Sequence, residues 1–276
     1  YVHVYYSALP ALFYKIFYGI PYVITEHSTA FIRGDLSFLD KLKVKLYYLF
    51  CSANLPVSAD LGEKIKELGV KKPYKVIPNV YDPLIFFPGK EKEKPAIINM
   101  VFVGNLVEQK GLKYLLPALE NLKRRDFFLN VIGDGPLKED LISFAGKLGV
   151  ASNINFPGRK TKPEIAEIMR ASDFFVLPSL AENLPCVIIE AFACGLPVLA
   201  SDVGGIPEIV NKDNGLVFKS GDTAALTAAL DLFMAEHRRY DKQKIAAYAL
   251  SNFSYTAVGK KLSEIFEKIT AGGNKP

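Results

Sequence analysis

Two glutamates, Glu182 and Glu190, flank the start of a predicted helix with seven residues between them. The apolar run Phe174–Leu177 is typical of a parallel strand that is buried on both faces, and Cys186–Cys194 is expected to form the helix that follows. A helix N-terminus offers unpaired N–H groups and a partial positive charge, which suits a phosphate. Carboxylates before and after this N-terminus could accept hydrogen bonds from sugar hydroxyls. The spacing alone also fits two solvated side chains, so the surrounding residues must decide.

Those surroundings resemble the donor-binding core of retaining GT-B glycosyltransferases of family 4 (glycosyl transferases group 1). The resemblance rests on the E-x7-E segment Glu182–Glu190, on Cys194-Gly-Leu-Pro-Val198 behind it and on Gly204-Gly-Ile-Pro-Glu208 beyond it. It implies transfer of a hexose or N-acetylhexosamine from a nucleotide-diphosphate sugar to a hydroxyl acceptor, with retention at the anomeric carbon. Such enzymes serve glycan, polysaccharide or glycolipid biosynthesis. In that family the first glutamate contacts the transferred sugar and the second contacts the ribose.

The resemblance also implies which residues bind the donor. They are Gly104, Asn105, Lys110, Gly133, Arg159, Glu182, Asn183, Leu184 and Glu190. Lys110 matches a family lysine that places a compact positive charge on the diphosphate, although the residue alone also fits a solvated lysine at a helix start. Asn105 stands where the family has an arginine, which removes a bidentate cation. Pro185 has no N–H and so removes one backbone donor near the helix start.

Three of the expected roles have structural alternatives. Gly133 belongs to a Gly-Asp-Gly-Pro turn that either only reverses the chain or faces the nucleotide. Arg159 lies in a loop that either meets the nucleobase edge or is a basic surface loop. His27 follows the predicted strand Tyr22–Thr25 and is either a structural residue or the family histidine near the transferred sugar. We expect His27, Lys110 and Glu182 to be the catalytic residues.

Composition limits the partners. The 276 residues carry a net charge of +5, and no basic stripe recurs, so a nucleic-acid partner is not expected. Three cysteines without a Cys-x-x-Cys pair are typical of a reducing compartment, which predicts a cytoplasmic protein. No cluster has metal-ligand spacing, so we expect neither a metal nor another cofactor. The aromatic and lysine-containing segments 12–18 and 41–50 are either core-facing helices or a peripheral contact with the inner face of the membrane, where a lipid-linked acceptor would lie.

The alternation of strands and helices predicts an α/β protein with parallel sheets. With the resemblance, this becomes two Rossmann-like, doubly wound domains of the GT-B type. The expected N-terminal acceptor-side domain is residues 1–88, with the strands Tyr1–Tyr6 and Tyr74–Ile77 among its elements. Residues 89–95 are the linker, 96–252 the nucleotide-sugar domain, and 253–276 a C-terminal helix that crosses back. The chain starts without Met inside a strand-like pattern, so we expect an incomplete N-terminal domain.

Two other functions stay open on the sequence. One is a non-catalytic nucleotide-sugar-binding fragment, because Asn105 and Pro185 depart from the family pattern and N-terminal residues are expected to be missing. The other is a nucleotide-sugar epimerase of the same architecture, which would need more acid and base residues than three histidines suggest.

Overall fold

The structure is a computed structural model that describes residues 1–89 and 97–272. Its N-terminal part holds a parallel sheet in the order β1-β2-β3. The strands are β1 (Val2–His3), β2 (Val23–Glu26) and β3 (Ala53–Pro56), and the helices are α1 (Leu9–Tyr18), α2 (Ala30–Arg33), α3 (Phe38–Phe50) and α4 (Ala59–Glu67), with a 3-10 turn at Tyr5–Ser7. Ser37 and Ser58 cap α3 and α4 by accepting backbone N–H groups of the first turn.

The second part holds a parallel sheet of six strands in the order β6-β5-β4-β7-β8-β9. The strands are β4 (Ile98–Val103), β5 (Phe127–Ile132), β6 (Ile154–Gly158), β7 (Phe174–Leu177), β8 (Val198–Ser201) and β9 (Gly215–Phe218). The helices are α5 (Leu112–Glu120), α6 (Lys138–Lys147), α7 (Lys162–Ala171), α8 (Cys186–Ala193), α9 (Ile206–Ile209), α10 (Thr223–Glu236), α11 (Lys242–Phe253) and α12 (Tyr255–Gly272). Further 3-10 turns lie at Glu108–Lys110, Ala151–Asn153 and His237–Arg239. The α/β architecture with parallel sheets is confirmed.

The order of the large sheet explains where a ligand would bind. From β4 the chain proceeds outward through β5 and β6, then returns to β7 on the other side of β4 and proceeds through β8 and β9. Neighbouring strands whose connections run in opposite directions leave a crevice at their carboxyl ends, and this is where open α/β sheets bind ligands. The crevice here lies beyond the ends of β4 and β7.

The last helix packs on the first sheet. Val258 and Ile265 of α12 share a small apolar cluster with Val23, Leu55 and Ile77 of the N-terminal part. The exact domain boundaries stay a prediction, because the expected linker falls largely on residues 90–96, outside the described residues. Among the helices in the described part of the chain, none is both long and apolar enough to cross a membrane.

Two expectations about local structure were wrong, and one helix was missed. The strand expected over Tyr1–Tyr6 is only β1, because Val4 has a φ of 59° and turns the chain out of the sheet. The strand expected over Tyr74–Ile77 is a single bridge between Tyr74 and Asn54, in a segment bounded by prolines that lack an N–H. Helix α11 was not predicted, although Asp241 caps it.

Candidate functional site

The crevice brings together two loops that carry opposite charges. Lys110 lies in the loop after β4, and Glu182 lies in the loop after β7. The Lys110 ammonium lies 2.5 Å from a Glu182 carboxylate oxygen, which also accepts a hydrogen bond of 2.7 Å from the Ser179 hydroxyl. Glu182 and Ser179 are buried. Glu182 is therefore held in one orientation by two neighbours while its second oxygen remains for another partner.

A hollow of about 640 Å³ opens beside this ion pair. It is lined by five of the residues that the sequence predicts to bind a donor: Gly104, Asn105, Lys110, Gly133 and Arg159. Gly133 has a φ of +142°, and a Cβ there would lie 1.8 Å from the carbonyl oxygen of Gly104. Only glycine lets these two strand ends approach so closely. The hollow thus depends on a glycine at this turn.

Glu190 reaches the same region from α8. Val187, three residues before it on the same helix face, lines the hollow. The Glu190 carboxyl is buried, and burial raises its pKa, while the Lys162 ammonium at 3.9 Å acts in the opposite direction. The start of α8 supplies N–H groups that have no partner within the helix. Pro185 is the N-cap of α8, so the missing N–H predicted from the sequence lies just ahead of the first helical turn.

Asn183 and Leu184 serve the contact between the two halves of the molecule. The Asn183 amide donates a 2.7 Å hydrogen bond to the carbonyl oxygen of His27, and its own amide oxygen has no partner among residues 1–89 and 97–272. The carbonyl of Leu184 accepts a 2.7 Å hydrogen bond from Asn79. The Leu184 side chain is buried in the apolar core, so only backbone groups of this residue could contact a ligand.

His27 lies at the end of β2, on the opposite wall of the cleft from Asn183. Burial lowers the pKa of its ring, and the nearby His3 lowers it further, so the imidazole is neutral at pH 7. The centroids of the His3 and His27 rings lie 5.5 Å apart. Both residues line a second hollow of about 610 Å³ together with Tyr6, Ser28 and Thr29.

Glu26, next to His27, was missed by the sequence reasoning. It is fully buried, and its carboxylate accepts backbone hydrogen bonds from Tyr5 at 2.9 Å, His27 at 3.0 Å and Ser28 at 2.9 Å. Burial raises its pKa to about 7, although these hydrogen bonds favour the charged form. The available signal was a carboxylate that ends an apolar strand, which the sequence alone does not distinguish from a solvated side chain.

Gln109 was missed as well. Its amide donates a 2.6 Å hydrogen bond to the carbonyl of Ala181, and its amide oxygen accepts one from Arg33 of the N-terminal part. The residue before Lys110 therefore connects the Lys110 loop to the Glu182 loop and to the opposite wall of the cleft. No motif in the sequence indicates this role.

Lys110 lines the hollow, and buried Glu182 and the helix that carries buried Glu190 lie beside it. The cation and the helix N-terminus suit a diphosphate, and the carboxylates suit hydroxyl groups. The opposite wall contributes His27, whose carbonyl is bonded to the residue after Glu182. The loop of Glu182, beside the hollow, is thus joined directly to the N-terminal part.

Comparisons with known proteins identify the family and the fold of this chain. The family model for glycosyl transferases group 1 matches residues 82–250, and that for glycosyltransferase family 4 matches residues 1–83. A GDP-mannose-dependent alpha-(1-6)-phosphatidylinositol monomannoside mannosyltransferase of Mycolicibacterium smegmatis is 33% identical over 63% of this chain and 48% of its own length. The alpha-maltose-1-phosphate synthase of the same organism is 26% identical over 98% of this chain and 78% of its own. The matched part thus spans about half of the first relative.

Solved structures establish the fold. Sucrose-phosphate synthase from Thermosynechococcus elongatus has a TM-score of 0.85 at 19% identity, covering 98% of this chain and 73% of that one. HepE of Anabaena, solved in complex with UDP, has a TM-score of 0.84 at 19% identity, covering 97% and 79%. The fold is GT-B, as predicted. With a family model that matches more than half of its residues, this chain belongs to the glycosyl transferases group 1 family.

Proposed function

We propose that this protein is a retaining glycosyltransferase that moves a hexose or N-acetylhexosamine from a nucleotide-diphosphate sugar to a hydroxyl acceptor. The observation that carries the proposal is the meeting of three predicted site residues. Half-buried Lys110 and buried Glu182 form an ion pair beside the donor hollow, and the residue after Glu182 is hydrogen-bonded to the His27 carbonyl. Donor-side and acceptor-side groups therefore face one another across the cleft.

The donor would displace the internal ion pair. The diphosphate takes the Lys110 ammonium and the N-terminus of α8, and the released Glu182 carboxylate accepts hydrogen bonds from the sugar hydroxyls. Glu190, further along α8, accepts the ribose hydroxyls. The buried amide oxygen of Asn183 has no partner among the described residues, and such an acceptor costs about 1–3 kcal/mol unless it is paired. A sugar hydroxyl at this position would pair it.

The acceptor would approach from the hollow that His3, Tyr6 and His27 line. In the transfer step the bond between the anomeric carbon and the diphosphate oxygen breaks, and the bond to the acceptor oxygen forms on the same face. The acceptor proton passes to the departing diphosphate. A neutral His27 ring can orient the sugar without placing a positive charge beside the electron-poor anomeric carbon. The largest contribution would come from charges already in place, here Lys110 and the helix N-terminus.

Calorimetric titration tests the donor site. UDP, GDP, UDP-glucose, UDP-N-acetylglucosamine and GDP-mannose are titrated with and without EDTA, because one relative uses GDP-mannose and one neighbour was solved with UDP. We expect one base to bind, with an affinity that EDTA leaves unchanged. Lys110→Met and Glu190→Ala should each weaken binding about tenfold or more. Lys113→Met is the matched control, because Lys113 pairs with Glu108 at the surface.

Failure of every nucleotide to bind would overturn the donor-site proposal, and loss of binding in EDTA would overturn metal independence. For the preferred donor, proton NMR of the first product formed identifies the anomer. Retention supports the proposed reaction, and inversion contradicts it. Binding without any turnover would favour the alternative of a non-catalytic nucleotide-sugar-binding module.

We also propose that helices α1 and α3 contact an anionic membrane surface where the acceptor is lipid-linked. Phe13 and Phe17 of α1 are 50% and 67% exposed, and Lys15 lies between them. Helix α3 adds exposed Leu42 and exposed lysines on both sides of it. Exposed aromatic residues and lysines together suit the boundary between anionic headgroups and acyl chains.

Sedimentation with vesicles tests this contact. The protein should sediment with phosphatidylglycerol vesicles and much less with phosphatidylcholine vesicles. Replacing both Phe13 and Phe17 by Ser should abolish binding, whereas Leu232→Ser, a change at an exposed apolar residue of α10, should not. Equal sedimentation of all three proteins, or none with either vesicle, would contradict the proposal.

A further inference from the structure

A carboxylate of the nucleotide-sugar domain caps a helix of the other domain. Glu208 lies on α9, and its two oxygens accept hydrogen bonds of 2.8 Å each from the backbone N–H groups of Ala59 and Asp60. These are the first two residues of α4, whose N–H groups have no partner within the helix. Ser58 serves the next N–H, that of Leu61, at 3.2 Å. Glu208 therefore completes the N-terminal cap of α4 that Ser58 provides in part, and its negative charge faces the positive end of the helix.

The residues just before Glu208 make this contact possible. Gly204 has a φ of +55°, and a Cβ there would lie 1.8 Å from the carbonyl oxygen of Glu182. A Cβ on Gly205 would lie 2.6 Å from the Cβ of Ser58. The Gly205 N–H donates a 2.7 Å hydrogen bond to the carbonyl of Asn183. The two glycines thus touch the Glu182 loop on one side and the N-terminal domain on the other.

Two more hydrogen bonds cross the cleft beside this segment. Asn183 donates to the carbonyl of His27, and Asn79 donates to the carbonyl of Leu184, each at 2.7 Å. Both bonds hold residues that directly follow Glu182. The Glu208 cap therefore belongs to a group of polar contacts that fix the Glu182 loop against the acceptor-side domain.

We propose that Glu208 is a positioning residue that holds the two domains closed, so that His27 faces the sugar whose hydroxyls hydrogen-bond to Glu182. The proposal rests on the proposed function for its catalytic consequence. Glu208 itself does not line the donor hollow, and it acts through α4 and through the glycines beside the Glu182 loop. Its loss should let the cleft open while leaving the donor-binding groups of the nucleotide-sugar domain in place.

The test compares wild type with Glu208→Gln. This change keeps the size of the side chain but replaces one accepting oxygen by an NH₂ group that faces a backbone N–H. Glu208 is exposed, so the variant should fold. Glu63→Gln is the matched control, because Glu63 is an exposed carboxylate of the same helix whose partners among the described residues, Lys66 and Tyr74, lie in its own domain. Three quantities are measured: the radius of gyration by X-ray scattering, the nucleotide Kd by calorimetry, and kcat for transfer.

For Glu208→Gln we expect a larger radius of gyration, an unchanged Kd and a kcat lower by about tenfold or more, since two charge-assisted hydrogen bonds are disturbed. Glu63→Gln should match wild type in all three. A radius of gyration equal to that of wild type would overturn the proposal that Glu208 holds the domains closed. A nucleotide Kd that rises by as large a factor as kcat falls would overturn it as well. If wild type binds no nucleotide and transfers no sugar, the proposed function fails, while scattering still decides whether Glu208 closes the cleft.

Discussion

The buried carboxyl of Glu26 should make the stability of the protein depend on pH in an unusual direction. Its pKa is about 7 in the folded protein, against an ordinary value of 4.5, because burial disfavours the charge. Between these two values the folded state holds a proton that the unfolded chain has released. Folding therefore takes up a proton, and raising the pH opposes folding.

The magnitude follows from the size of the shift. One pKa unit corresponds to about 1.4 kcal/mol, and the shift covers about 2.5 units, so Glu26 should lower the free energy of unfolding by about 3 kcal/mol between about pH 4.5 and pH 7. Above about pH 8 its effect should be constant. Glu26→Gln removes the titration and leaves a cost that does not vary with pH, because the amide cannot accept all three backbone hydrogen bonds.

Urea unfolding followed by circular dichroism from pH 4.5 to pH 9 measures this effect. The stability of wild type minus that of Glu26→Gln should fall by about 3 kcal/mol as the pH rises, and other carboxyls cancel in the difference. Glu164→Gln, measured from pH 5 down to pH 2, is a control of opposite sign: hydrogen bonds from the Thr161 backbone and hydroxyl lower the Glu164 pKa to about 2, so its stabilising effect is lost as the pH falls through that range. A Glu26 difference that is flat, or that rises with pH, would refute the reasoning.

Two further predictions concern the donor hollow. Gly133→Ala should destabilise the protein by about 3 kcal/mol, because the new Cβ would overlap the Gly104 carbonyl at a φ of +142°. The control Gly146→Ala, where a Cβ meets nothing within 4 Å, should be neutral or slightly stabilising. Equal thermal unfolding temperatures for the two variants would contradict this prediction. Cys186 is the one exposed residue among the three cysteines, but partial desolvation of its thiol raises the pKa, so it should react with a maleimide faster as the pH rises. A bound nucleotide diphosphate should slow that reaction, whereas an unchanged rate in saturating nucleotide would place the ligand away from α8.

The large sheet could be predicted closely where the sequence carries short apolar runs between turn residues. Phe174–Leu177 and Gly215–Phe218 begin and end where the pattern predicts, because each is a short apolar run flanked by polar residues or proline. Helix α11 was not predicted, although its buried residues Ile245, Ala249 and Phe253 recur at helical spacing. The Tyr74–Ile77 segment runs beside β3 with apolar character but forms one bridge, a distinction that depends on tertiary pairing.

The predicted donor-side residues come together because they follow the carboxyl ends of adjacent strands, a relation that the alternation of strands and helices predicts. Contacts between the domains could not be predicted from the sequence. The cap that Glu208 gives α4 joins residues about 150 positions apart and depends on how the two sheets are oriented. The same holds for the bond from Asn183 to His27. The sequence shows the residue types, and only the folded cleft shows their partners.

A structure of the protein determined with the nucleoside diphosphate that binds best would test the central claim most directly. The account predicts the diphosphate between Lys110 and the N-terminus of α8, the ribose at Glu190, and the Lys110 ammonium moved from Glu182 to a phosphate oxygen. A nucleotide bound elsewhere, for example in the hollow lined by Asn211, Arg239 and Tyr248, would contradict the account. A Lys110–Glu182 pair that stays intact beside a bound diphosphate would contradict it equally.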